Sequence, residues 1–192
     1  MGTVVTNAPF TVGQYLQAAT ANQITEAVSN GIWGEILRGY FRFGDYFIVP
    51  ENHSATGSTR PDLIAYRYHP TATAMDGLRA GQDNVCFCVE GKGKTGATGF
   101  CSTDNYNQIK GYISSSRRSS DHSRKFGMLV AGDMFLVLAT ESNGSNLQYV
   151  GWANNDLRLV STQNTLQASA VMYLSQHAGQ LDSILRKIAT LY

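Results

Sequence analysis

The chain has 192 residues with 15 basic and 14 acidic side chains, a formal net charge of +1, 43% hydrophobic residues and only 15% charged ones. That length suits a single well-buried domain over residues 1–192, and the apolar content excludes a chain too polar to fold. The near-neutral balance excludes the uniformly basic surface of a protein that coats nucleic acid, so any polyanion site has to be a local patch.

No N-terminal stretch reads as a signal peptide and no apolar run approaches the ~20 residues of a membrane span, so a soluble intracellular protein with no membrane partner is expected. Cys86, Cys88 and Cys101 form an odd set and fit a reducing compartment, cytoplasm or nucleus. Zinc on the Cys86/Cys88 pair would need a fourth ligand at regular spacing, and His122 is far along the chain; the competing expectation is small core residues.

In chain order, residues 20–40 predict a helix capped by Thr20, with Ile24, Val28, Ile32 and Ile36 at helical spacing and Gly31 and Gly34 weakening it. At about 100° per residue Glu35 falls within ~20° of Ile24, on the inward face, and Glu26 falls opposite. An inward carboxylate is either a satisfied polar group near the helix end or part of a site. Residues 45–54 predict a strand that Pro50 ends or confines to a sheet edge. Residues 60–68 predict another, with Leu63 and Ala65 on one side and Asp62, Ile64 and Tyr66 on the other.

After a turn-rich stretch, VCFCVEGK at 85–92 opens with five apolar residues, which predicts a central strand covered on both faces. Residues 102–113 predict a helix with Ser102, Thr103 or Asp104 as cap and Ile109, Tyr112 and Ile113 packing inward. Residues 125–142 predict two strands around a Gly132-Asp133 turn, and NLQYVGWA a further strand. Residues 166–191 predict a long helix carrying Val171, Leu174, Ala178, Leu181, Leu185 and Ile188. That stripe suits either packing on the chain's own sheet or a homodimer. The expected class is α/β (α+β), a mixed central sheet flanked by helices.

Within CVEGKGKTGATG, residues 88–99, two chemistries compete. Gly93-Lys94-Thr95 ends like a nucleotide-binding P-loop, but Cys88 stands where that motif needs its first glycine. The other chemistry rests on Glu90 and Lys92, two residues apart on a strand and therefore on one face, where a carboxylate and an ammonium can share a metal and a water.

Pro61-Asp62, then Glu90-Gly91-Lys92, then a helix with Gln108 and Tyr112, resembles the PD-(D/E)XK, or restriction-endonuclease-like, nuclease superfamily. QIKGYI, a basic turn and FGMLVAGDMFLVLAT are similar to the helix and hairpin after the catalytic strand in fungal and bacterial members, so the resemblance spans about residues 22–141. It implies that Asp62 and Glu90 hold Mg²⁺ or Mn²⁺ with the Gly91 carbonyl as a third ligand. Lys92 would orient or deprotonate the attacking water, Glu35 would support a second or hydrated metal, and Gln108 would contact the water network or a phosphate. The chemical logic is general: phosphodiester hydrolysis needs an activated water and relief of charge on phosphorus and leaving oxygen, and a hard divalent cation on oxygen ligands serves all three.

The implied function is metal-dependent hydrolysis of phosphodiester bonds, with DNA as substrate. The alternative is a catalytically silent nuclease-fold domain that binds nucleic acid or protein. The plain structural readings are Asp62 stabilising a turn and Glu90–Lys92 forming a strand-end ion pair. Lys94 reads as a loop residue able to meet a phosphate. Lys110, Arg117, Arg118, Arg124 and Lys125 place five cations beside one acid, Asp121, as a patch that either tracks a phosphate backbone or is simply solvated.

Overall fold

The computed structural model describes residues 25–42, 45–50, 61–67, 85–93, 96–115, 124–141 and 146–191. In chain order these form α1 (Glu26–Arg38), β1 (Tyr46–Pro50), β2 (Leu63–Arg67), β3 (Val85–Lys92), α2 (Ala97–Phe100), α3 (Thr103–Ser115), β4 (Phe126–Ala131) and β5 (Met134–Thr140). They continue through β6 (Leu147–Ala153), β7 (Asp156–Ser161), a 3₁₀ turn at Ala168–Ala170, β8 (Met172–Tyr173) and α4 (Leu174–Thr190). The strands make one sheet in the order β1-β2-β3-β4-β5-β6-β7, with β8 paired to β5. Pro50 is the last residue of the edge strand β1, a position that tolerates a residue without an N–H.

β3 and β4 are parallel, while the other pairings are antiparallel. A tight turn cannot join parallel neighbours, so the chain between them crosses over through α2 and α3. This places Phe100, Ile109 and Ile113 on one face of the sheet against Cys88, Leu129 and Leu136. The other face is covered by α1 and α4, where Trp33, Leu37, Leu181 and Leu185 meet Phe87, Val89, Met128 and Val137. The alternation of β3 therefore feeds two cores, as its uninterrupted apolar run predicts. The architecture is mixed α/β: a mostly antiparallel sheet flanked by helices, ending in a C-terminal helix.

Local chemistry sets the element ends. Ser102 is the cap that α3 uses, its Oγ accepting from Asn105 N–H at 3.2 Å. Gly132 takes a positive φ of 60° in the β4–β5 turn. The β6–β7 hairpin turns through Asn154 and Asn155, with φ of 54° and 60°. Two consecutive left-handed residues are what a two-residue hairpin turn demands, and asparagine adopts that conformation most readily after glycine.

Two sequence expectations are corrected. The predicted helix over 166–191 begins only at Leu174. Val171 belongs to an extended link, and Met172–Tyr173 pair with Phe135 and Met134 of β5. Leu174 N–H, donating to Asp133 carbonyl at 2.8 Å, fixes the start. The apolar stripe of α4, including Leu174, Leu181, Ile184, Leu185 and Ile188, is buried within the chain.

The second correction concerns α1. Its cap is Thr25, whose Oγ1 accepts from Val28 N–H at 3.3 Å, and Thr20 lies outside the described residues. The inward residues are Ser29, Trp33, Ile36 and Leu37, while Val28 is 48% exposed. Trp33 decides the rotation: its indole Nε1 donates to Gly132 carbonyl at 3.0 Å, and Ser29 Oγ accepts from Gly132 N–H at 3.1 Å. The N–H and carbonyl of Gly132 in the β4–β5 turn are thus both bonded by one helix. Glu35 consequently faces solvent and pairs with Arg38 instead of pointing inward.

Ser29→Ala leaves a buried Gly132 N–H without its acceptor and is expected to cost about 1–3 kcal/mol in urea denaturation. Val28→Ala, on the face that the spacing of isoleucines assigned to the core, is expected to stay within about 0.5 kcal/mol.

Candidate active site

The carboxyl ends of β3 and β4 lie side by side, Lys92 in register with Ala131. β2 enters the same region from the other side: Leu63 is opposite Val89, so Asp62 stands one step beyond that pair, beside Glu90. Asp62 Oδ2 accepts from the Gly91 N–H at 2.7 Å. Lys92 Nζ donates to Glu90 Oε1, an ion pair whose side chains are 21% and 3% exposed. Asp62 is therefore bonded to the backbone amide that follows Glu90, and Glu90 to Lys92.

Glu90 is the electrostatic centre of this cluster. Its Oε2 is buried and has no hydrogen-bond partner among the described residues. Burial, reinforced by the charges of Asp62 and Glu26, pushes its carboxyl up to about 7, against the opposing hydrogen bond and charge of Lys92. A buried acceptor lacking a donor is costly, and a cation is the partner that would satisfy it.

The donor set agrees with such a cation. Two carboxylates and nearby backbone oxygen are hard ligands of the type that Mg²⁺ or Mn²⁺ accepts while retaining several waters. Among the described residues no three His, Cys, Asp or Glu side chains converge into a fuller cage. Cys88 is buried with Sγ 3.9 Å from Phe126 carbonyl, an ordinary core position, and Cys101 is half-buried.

The N-terminal half of α1 closes over the other side of the β3 end. The side chain of Asn30 occupies the space a Cβ on Gly91 would need, its Oδ1 only 1.7 Å from that position. Only glycine permits that approach at 91. Asn30 Oδ1 is a second buried acceptor without a partner among the described residues. Sequence periodicity placed Glu26 away from the core and Glu35 toward the site; in the structure it is the Glu26 charge that Glu90 feels. The signal available was Thr25 followed by Glu26, a cap and an acidic first turn, which places the helix start five residues later than Thr20 does.

The remaining predicted residues divide. Gln108 Nε2 donates to Tyr112 hydroxyl at 2.9 Å along α3. Lys110 lies 5.6 Å from the Tyr106 ring centre. Arg124 donates to Gln148 Oε1 at 2.7 Å. Lys125 is only 4% exposed, at the start of β4, which corrects its assignment to a solvated phosphate-tracking patch. Lys94, Arg117 and Arg118 lie outside the described residues, as does Thr95 of the P-loop reading.

No family model matches the chain, and neither does any curated protein or solved structure compared with it.

The raised Glu90 carboxyl has a stability consequence. The folded chain holds this proton more tightly than the unfolded one, from an ordinary value of 4.5 to about 7. The contribution is fully present below pH 4.5 and is lost as pH rises through 7, a change of about 3 kcal/mol at 1.36 kcal/mol per unit. Denaturation profiles from pH 4.5 to 8 are expected to fall for the wild type and to stay flatter by that amount for Glu90→Gln.

Proposed function

We propose that the chain is a metal-dependent phosphodiesterase, a nuclease of the PD-(D/E)XK kind, with DNA as its substrate. One observation supports this: Asp62, Glu90 and Lys92 lie together at the carboxyl end of a parallel strand pair, and the buried Glu90 Oε2 has no donor among the described residues.

In this reading Asp62 and Glu90 hold Mg²⁺ or Mn²⁺, with the Gly91 carbonyl as the further ligand. The bound cation supplies an acidified water and neutralises charge on the phosphate. Asp62, through its bond to Gly91 N–H, holds the end of β3 so that Glu90 and Lys92 keep their spacing. Lys92 keeps an ammonium beside Glu90, where it orients the attacking water and offsets the negative charge that develops at phosphorus. The charges of Asp62 and Glu26 oppose ionisation of Glu90, and a cation held by Asp62 and Glu90 would offset that repulsion. The half-buried Lys110 on α3 lends positive charge to the helix that follows the catalytic strand.

Purified protein is expected to cut plasmid or single-stranded DNA with Mg²⁺ or Mn²⁺ and to stop with EDTA. Glu90→Ala and Lys92→Ala, checked for folding by circular dichroism, are each expected to lower cleavage at least 100-fold. Cleavage that persists in both variants would remove this site from the chemistry. No cleavage, with no metal binding sensitive to Asp62→Ala, would leave a silent nucleic-acid-binding or protein-binding domain.

A further inference from the structure

At the opposite end of the sheet the strand ladder forks. β5 pairs through Leu138–Thr140 with β6 and through Met134–Phe135 with β8, so Leu136 and Val137 lie in the crotch between two partners. β6 beyond Tyr149 is paired only with β7. The separation opens a cavity of about 340 Å³. That volume is near the lower end of the range that holds small organic ligands, roughly 300–1,000 Å³.

The lining has a definite polarity. Trp152 and Met172 supply apolar wall, while Arg158, His177 and Gln180 bring a guanidinium, an imidazole and an amide, and no acidic side chain among the described residues lines the space. Arg158 has no acidic partner among the described residues. It stands in register with Gly151, whose missing side chain leaves floor between Arg158 and Gln180. His177 interrupts α4 with non-helical angles of φ −121° and ψ 18°, and its Nδ1 accepts from Tyr173 N–H at 3.1 Å. Nδ1 also lies 3.2 Å from the Tyr173 carbonyl, so Tyr173 engages Nδ1 in either tautomer and Nε2 is the ring nitrogen left for a ligand. The helix thus gives up regular geometry at the residue that faces the fork.

We propose that this cavity binds a small organic anion. Its oxyanion head, carboxylate or phosphate monoester, sits between Arg158 and His177, and its apolar or aromatic body lies against Trp152 and Met172. The guanidinium fork matches a planar or tetrahedral oxyanion through paired N–H donors. This inference is independent of the proposed nuclease chemistry, which uses other residues at the other end of the sheet.

The test is a titration of the ¹⁵N-labelled full chain, in EDTA, with phenyl phosphate, benzoate and inorganic phosphate as separate probes. Saturable amide shifts at Val137, Gly151, Trp152 and Met172 are expected with phenyl phosphate or benzoate, the tighter of the two identifying the head group. Inorganic phosphate, lacking the body, is expected to bind at least tenfold more weakly. Arg158→Ala, at an exposed strand position, is expected to weaken binding at least tenfold, and Gly151→Val to abolish it by filling the floor. A Cβ at 151 meets nothing closer than 3.7 Å, so Gly151→Ala serves as the milder variant should valine unfold the chain. No saturable shift with either aromatic probe, or binding that Arg158→Ala leaves unchanged, would overturn the proposal.

Discussion

Parallel pairing of β3 with β4 organises this molecule. Because parallel neighbours need a crossover, the chain between Lys92 and Phe126 has to leave the sheet and return, and α2 and α3 take one face in doing so. The opposite face is left for α1 and α4, which pack on Phe87, Val89, Met128 and Val137. The same pairing puts two strand carboxyl ends side by side. Clefts at such ends are where open α/β sheets hold ligands. Here the end of β3 carries Glu90 and Lys92, and the end of β4 carries the Gly132 turn that Trp33 and Ser29 clasp from α1. The clasp brings the first turns of α1, with Glu26 and Asn30, against the end of β3.

The electrostatics of that end follow from burial. A glutamate with an exposed carboxylate would be solvated, and its pairing with Lys92 would contribute little. Glu90 is instead buried, with Asp62 bonded to the next backbone amide and one of its own oxygens lacking a donor among the described residues. Two neighbouring acids raise its proton affinity and only one nearby ammonium opposes them. A cluster of oxygen acceptors in excess over donors is unfavourable for stability by itself. That imbalance is the physical reason for proposing that the cluster binds a cation.

Much of this was legible in the sequence. The apolar run of β3, the edge position of Pro50, the Gly132 hairpin and the shared face of Glu90 and Lys92 all follow from period-two alternation and turn chemistry, which act locally. Failures came where a distant contact overrode a local pattern. The isoleucine spacing of α1 pointed Glu35 inward, but burying Trp33 and bonding its indole to Gly132, 99 residues away, rotated the helix and left Glu35 in solvent. The stripe from Val171 to Leu174 read as helix, but the free edge of β5 captured Met172 and Tyr173 as a strand. β7 went unpredicted although Asn154-Asn155 is a hairpin signal, because its own pattern is only half-buried. Asn30 carried no signal, since its role arises from the absence of a side chain at Gly91.

The central claim is that Glu90 is a buried carboxyl that gives up its proton to a divalent cation. It is tested most directly by following the side-chain carboxyl resonances of ¹³C-glutamate-labelled protein through a pH titration with and without Mg²⁺, using Glu90→Gln for assignment. The expected result is a Glu90 carboxyl that titrates near 7 in the absence of metal and remains ionised well below that pH when Mg²⁺ is present. A Glu90 that titrates in the ordinary carboxylate range and does not respond to Mg²⁺ would contradict the account.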